Sequence, residues 1–266
     1  MAGTEYLAPL FRAEILAFRD RYPDADSIRI EANGSAEGME QLVNGDVSMS
    51  LLLRELTDPE VDAAIKRNGL QGFTVAWDAV AVIVNPASPI EQISKSELGE
   101  IYGGSVTQWS SLGWKQGGQV IALTAGTRLG IFAYLQQALL GSGSYAPTVY
   151  APPTEDQVIE AVATRPNAIA CVSRVYAERA GARVRVLSVS QAKGLPYVEL
   201  SRETILTKQY PLLRSITIAT PANPSATCGS FIDFVSGMDG QAIVARHGYA
   251  PATVPVRIVR TVEEVP

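Results

Sequence analysis

Glu-Ala-Asn-Gly-Ser-Ala-Glu-Gly-Met, running from Glu31 to Met39, is the stretch on which the reading of the fold turns. Before it, Ser27 to Ile30 alternates polar and apolar residues; after it, Met39, Leu42 and Val43 fall at helical spacing. The segment therefore predicts a strand, a glycine-hinged turn and a helix start. A helix start leaves up to about four backbone N–H groups without intrahelical partners, with the positive end of the helix dipole behind them. Gly34 and Gly38 allow close backbone approach and the Ser35 hydroxyl can donate, which is the make-up of an anion site. The competing reading is that Asn33 or Ser35 merely caps a helix. Similar turns at Gly3-Thr4 and Ala125-Gly126-Thr127 weigh toward the anion site.

Working outward, the 266 residues are 47% hydrophobic, enough for a large core in one or two domains. A net charge of -5 argues against a nucleic-acid partner, since phosphate backbones are met by basic faces. It does not exclude a small anion, because local dipoles decide a buried site. No apolar run reaches the roughly 18 residues of a membrane span, and no leader precedes Gly3, so export implies a leader already removed. Cys171 lies in an apolar run and Cys228 in a loop, and two separate thiols are expected. They lack the spacing and the histidine company of a zinc site. His247, the only histidine, falls at an apparent helix end and is read as a terminal residue.

Along the chain, Leu7, Leu10, Phe11, Ile15 and Phe18 mark a first helix ending near Tyr22-Pro23, and Asn44-Gly45 stops the helix after the opening turn. Asp46 to Leu51 alternates like a strand, and Asp58-Pro59 to Asn68-Gly69 brackets another helix. This is β-α-β-α alternation, the pattern of a sheet covered by helices. Phe73 to Val84 is long and β-branched, and with Ser215 to Ala219 it is read as a crossover strand between two lobes. Ser94 to Glu97 and Thr154 to Gln157 have capping-box spacing. Val120 to Leu123, Ala168 to Val172 and Val184 to Val189 are strand candidates; Ile131 to Leu139, Phe231 to Val235 and Gln241 to Ala245 are helix candidates. Trp77, Trp109 and Trp114 are read as packing residues.

In this order the pieces resemble the phosphate-binding subunits of bacterial ABC importers, the PstS-like branch of the type II periplasmic binding proteins. Gly3 to Leu10 is similar to that family's opening G-S-T-x-x-x-P-L, Asn33 to Gly38 to its G-G-S-G-x-G, and Arg54-Glu-Leu56 to its S-R-x-L. Asp78 to Pro86 is close to its strand D-A-I-A-V-I-V-N-P, and Leu98 to Trp109 to L-x-x-I-Y-x-G-x-x-x-x-W. Phe231 to Val235, Gly240 to Val244 and Gly248-Tyr249 resemble its C-terminal motifs. The resemblance implies a two-lobed α/β fold with mostly parallel sheets flanked by helices and two crossover strands as a hinge. It places lobe 1 at residues 1–83 and 213–266 and lobe 2 at 84–212. A dehydrated oxyanion, inorganic phosphate first, would be held in the cleft by amides and hydroxyls.

Carried over residue by residue, the ligand set is Thr4, Glu5, Gly34, Ser35, Arg54, Gly126, Thr127 and Arg128. Four positions depart from the family. Glu5 stands where a second hydroxyl residue is usual, Ala125 replaces the third-loop serine, and Leu53 replaces the serine before Arg54. The arginine upstream of the third loop is absent, with Ile121 or Ala122 in its place and Arg128 as a substitute counter-charge. A carboxylate about 4 Å from a phosphate oxygen costs roughly 4 kcal/mol at an effective dielectric near 20 unless it accepts the ligand's proton. Glu5 in the site would thus select hydrogen phosphate over sulfate; the alternative is a first-turn residue facing water.

The expected role is a non-enzymatic, periplasmic or extracytoplasmic monomer that delivers its solute to an ABC permease, with no cofactor, no metal and no nucleic-acid partner. The alternative is a divergent member that binds another small ligand or serves as a sensory domain. An enzyme in the cleft finds no support from a G-x-S-x-G elbow, a phosphate-binding G-x-x-x-x-G-K-[ST] loop or an H-E-x-x-H helix, leaving only a pair such as Glu5 with Glu37.

Overall fold

The computed structural model describes residues 1–53, 60, 62, 69–126 and 130–252, apart from the Glu5 side chain. The predicted helix from Asp58 to Asn68 lies largely outside the described residues. The main sheet is mixed and runs β2 (Glu31–Ala32), β1 (Ala2–Gly3), β3 (Ser50–Leu52), β10 (Leu213–Pro221), β4 (Leu70–Val84), β7 (Ala168–Ser173), β6 (Ile121–Leu123). β1 pairs in parallel with β2 and β3, and β6 in parallel with β7. The two long strands are antiparallel to their neighbours, β10 to β3 and β4 and β4 to β7.

β4 does the joining. Its first part, Leu70 to Ala79, pairs with β10; from Val80 to Val84 it pairs with β7. Two hydrophobic cores lie on either side of this change of partner. One gathers Leu7, Phe11, Phe18, Leu51, Val75, Ile216, Phe231 and Val244. The other gathers Val80 to Val84 with Leu98, Tyr102, Trp109, Leu123, Leu135, Val158 and Ile169. The second part of β4 is buried on both faces, which is why its sequence is a continuous β-branched run rather than an alternation. Two short strands, β5 (Gln92–Ser94) and β9 (Ser188–Ser190), form a separate parallel pair.

Helices cover both cores. α1 (Ala8–Arg21), α8 (Ala226–Ser236) and α9 (Met238–Arg246) belong to the first, while α2 (Ser35–Asn44) packs on β1 and β3 of the same half of the sheet through a smaller cluster of Met39 and Leu42 with Leu52 and Ala219. α3 (Lys95–Gly103), α4 (Gly130–Leu140), α5 (Glu155–Thr164) and α6 (Arg174–Ala180) cover the second. The short helix α7 (Arg202–Leu206) buries Ile205 there too. The caps follow the sequence: Ser94 and Glu97 form a reciprocal capping box, and Gly45 and Gly104 close their helices in left-handed conformation. Thr154 caps α5 by accepting the Gln157 N–H. His247 is the C-cap of α9. Trp109 is fully buried, its indole N–H donating to Asn167 O, as a packing residue does. Among the described residues no helix is long and apolar enough to cross a membrane.

Three expectations are corrected. The strand expected at Ser27 to Ile30 is displaced to Glu31–Ala32, because β1 offers only two rungs to pair with. Asp46 to Leu51 yields only Ser50–Leu52 for the same reason: its neighbours in the ladder begin there. The run Val184 to Val189 is split into β8 (Arg185–Val186) on β4 and β9 on β5. Cys171 and Cys228 are both free and buried, in different cores.

The stripe of α1 that packs inward includes Glu14, fully buried and with both carboxyl oxygens lacking a hydrogen-bond partner among the described residues. Burial pushes its carboxyl up to about 8, against the pull of Arg246. The folded protein therefore keeps a proton that the unfolded chain releases above about pH 4.3, and stability falls as pH rises from there to about 8, by up to about 1.4 kcal/mol per pH unit. Glu14→Gln lacks this titration. Urea unfolding at pH 5, 6.5 and 8 should show the variant gaining on the wild type as pH rises; a constant difference would contradict this placement.

Candidate functional site

β1, β2 and β3 run in parallel, so their C-terminal ends, Gly3, Ala32 and Leu52, share one edge of the sheet. β6 and β7 also run in parallel, β6 ending at Leu123 opposite Ala170 and β7 continuing three residues further to Ser173. The loops that leave such edges are where open α/β sheets place their ligands. Here they are the turn at Thr4, the turn from Asn33 to Ser35, the residue Leu53, the turn from Thr124 to Gly126, and the junction of Ser173 with Arg174.

Gly3 and Gly38 bring the first two turns together. A β-carbon built on Gly3 would lie 2.5 Å from Leu51 O, and one on Gly38 would lie 3.0 Å from the Ala2 carbonyl and Gly3 Cα. The start of α2 is thus pressed against the end of β1 at a spacing that a larger side chain would prevent. Gly34 has φ 98°, a conformation that favours glycine, and it and Asn33 both donate their N–H to Gly3 O, at 2.9 and 2.8 Å. Its amide is committed to holding the turn. The first intrahelical bond of α2 runs from Gly38 N–H to Gly34 O, so the amides of Ser35, Ala36 and Glu37 precede the helical ladder.

Ser35 is the focus. It is almost completely buried at the first position of α2, and its Oγ accepts the Leu53 N–H at 3.4 Å, which leaves the hydroxyl proton for another acceptor. A β-carbon on Gly130, which opens α4 of the second core just after the third turn, would sit 3.2 Å from this Oγ. The starts of two helices from opposite cores therefore meet at Ser35. Thr4 is half-buried, with its carbonyl accepting the Leu7 N–H at 3.1 Å. Gly126 packs against Pro152 and Pro153, the approach to α5.

Of the expected ligand set, the structure places Thr4, Gly34 and Ser35 on one edge and Gly126 on the other. Arg54, Thr127, Arg128 and the Glu5 side chain lie outside the described residues. Glu37 is solvent-exposed.

Sequence reading missed a buried polar network beside these turns. Arg214 on β10 donates from Nε and Nη2 to Asp78 Oδ2 on β4, at 3.1 and 2.7 Å, and from Nη2 to Ser173 Oγ at 2.8 Å. Ser173 in turn donates its hydroxyl to Glu155 Oε1 at 2.7 Å and its N–H to Oε2. Tyr6 OH reaches Asp78 Oδ1 at 3.3 Å, and Arg174 Nε lies 3.9 Å from the same oxygen. Burial pulls the Arg214 guanidinium down, but Asp78, Tyr6 and Glu155 around it together outweigh this and its net shift is upward. Burial raises the Glu155 carboxyl, with Arg214 opposing.

Residues 1–237 match the family model described as PBP superfamily domain. The chain is 24% identical to the phosphate-binding protein PstS of Pseudomonas aeruginosa over 96% of its own length and 83% of that protein's. It is 27% identical to PstS of Bacillus subtilis, over 95% and 80%. Among solved structures, an ABC-type phosphate transport receptor from Vibrio cholerae superposes with a TM-score of 0.73 at 20% identity, covering 94% of this chain and 98% of that one. PstS from Borrelia burgdorferi gives 0.66 at 22%, over 94% and 96%. The chain belongs to the PBP superfamily, and its fold is that of the type II periplasmic binding proteins.

Truncating one partner of a buried ion pair strands the other, at a cost of about 3–5 kcal/mol. Arg214→Met alone should lose about that much stability, while Asp78→Asn with Arg214→Met should recover most of it. Denaturant midpoints of the single and double variants check this; equal losses in both would contradict the pairing.

Proposed function

We propose that this protein is a non-enzymatic, extracytoplasmic solute-binding protein that captures inorganic phosphate between two lobes and hands it to an ABC permease. The lobes in this reading are residues 1–83 with 213–266, and residues 84–212. The observation that carries it is Ser35: a buried hydroxyl at the start of one helix, facing the start of a second helix from the other core. Two helix starts converging on Ser35 bring their positive dipole ends to one point, which suits a compact oxyanion. The PstS relatives named above, each matched over nearly the whole of this chain, support phosphate as that oxyanion.

In this reading capture proceeds as follows. The Ser35 hydroxyl and the first-turn amides of α2 bind the anion from one lobe, with Thr4 beside them. Gly126, Thr127 and the start of α4 complete the shell from the other. Arg54 and Arg128 supply positive charge, and Glu5 accepts the proton of hydrogen phosphate. Closing the lobes removes water, and in that drier environment each charge-assisted hydrogen bond contributes about 1.5–3 kcal/mol. Reopening at the permease reverses the process with no covalent change. The protein acts as a monomer without nucleic acid.

Titration calorimetry on protein stripped of bound solute by unfolding and refolding tests the reading. Phosphate should bind at micromolar Kd or tighter and sulfate should give no heat, and Ser35→Ala should raise the phosphate Kd by about 10- to 100-fold. Silence toward phosphate would overturn phosphate as the ligand and direct the search to other solutes; equal binding of sulfate would remove Glu5 as the proton acceptor.

A further inference from the structure

The geometry points to Tyr6 as a positioning residue that ties occupancy of the first ligand turn to closure of the two halves, with Tyr176 as its counterpart across the cleft; this rests on the phosphate-capture reading above. Tyr6 lies two residues past Thr4, in a single tight turn (Glu5–Leu7) pinned by the Leu7 N–H to Thr4 O bond of 3.1 Å. Its ring and hydroxyl reach both crossover strands. The hydroxyl meets Asp78 on β4 at 3.3 Å, and the Arg214 guanidinium of β10 stands over the ring at 5.4 Å.

The same ring meets the second half of the molecule. It stacks on Tyr176 of α6 with centroids 6.4 Å apart and planes 15° from parallel, while Tyr249 closes its edge at 6.3 Å. α6 follows β7 directly, so the Tyr6–Tyr176 contact bridges the two cores without passing through the crossover strands. Any swing of the halves about those strands opens this contact. Dispersion and quadrupole attraction between rings fall steeply with separation, so the stack favours one closed arrangement.

The consequence is reciprocal coupling. An anion accepting a hydrogen bond from Thr4 fixes the turn that carries Tyr6, and a fixed Tyr6 favours the stack that holds the halves together. By linkage, loss of the stack weakens the anion by the same factor that the anion strengthens the stack. The loss falls on the release rate, because the clasp forms after encounter.

The test compares wild type, Tyr176→Leu, Tyr176→Phe and Tyr6→Phe by stopped-flow phosphate release and by small-angle scattering with and without phosphate. Tyr176→Leu should release phosphate about 5- to 10-fold faster and compact less at saturation, with the ligand-free melting temperature little changed. Tyr176→Phe keeps the ring and should restore wild-type release. Tyr6→Phe, which keeps the ring but loses the hydroxyl's hydrogen bonds to Asp78 and Tyr249, should fall between them. Tyr176→Leu releasing and compacting like the wild type overturns the clasp, as does a Tyr176→Phe protein as fast as Tyr176→Leu. A wild type silent to phosphate in both measurements overturns the functional reading instead, and with it the ligand half of this inference.

Discussion

The rest of the structure depends on the pairing of Asp78 with Arg214. Both side chains are removed from water almost completely, and the two residues stand directly opposite each other where β4 and β10 run side by side. Isolated, either charge would be prohibitively costly at that depth; together, with Ser173 and Tyr6 occupying further polar sites, they are accommodated. A slip of one residue in the register of the two strands would strand both charges. The pair therefore fixes which residues of β4 face β10, and does so just before β4 changes partner to β7. The relative placement of the two cores, and of the turns at their edges, follows from that register.

The turns themselves are built by close approach more than by charge. Gly38 lets α2 abut β1, Gly3 lets β1 lie close against Leu51 of β3, and Gly34 turns through a conformation that favours glycine, so Ser35 is delivered to a fixed place ahead of the helical ladder. The chain carries a net charge of -5, so in the proposed site helix starts and hydroxyls, acting at short range, are the source of attraction for an anion. Steering by overall charge has no part in the proposed capture, which relies on dehydration and converging donors.

Much of this was legible in the sequence. Gly34, Ser35 and the helix stop at Gly45 were readable because turn chemistry is local. The capping box at Ser94 and the long crossover strand from Phe73 to Val84 were readable for the same reason and from β-branched composition. What escaped was long-range. Nothing near Asp78 in sequence announces Arg214, which lies 136 residues away, and Ser173, just past the strand read at Ala168 to Val172, and Glu155, within a capping motif, are joined only by the fold, which places Ser173 between the Arg214 guanidinium and Glu155. Tyr6 carries no motif signal of its own, because its contacts are with residues distant in sequence: Asp78, Arg214, Tyr176 and Tyr249. The strand expected at Ser27 to Ile30 failed differently: alternation was present, but a strand exists only where a neighbour offers rungs.

The most direct measurement is a crystal structure of the protein grown with phosphate after stripping and refolding. The account predicts one anion between the two cores, with an oxygen about 2.5–3.0 Å from Ser35 Oγ and further oxygens facing the first amides of α2 and of α4. An anion bound elsewhere, or an empty cleft at saturating phosphate, would contradict it.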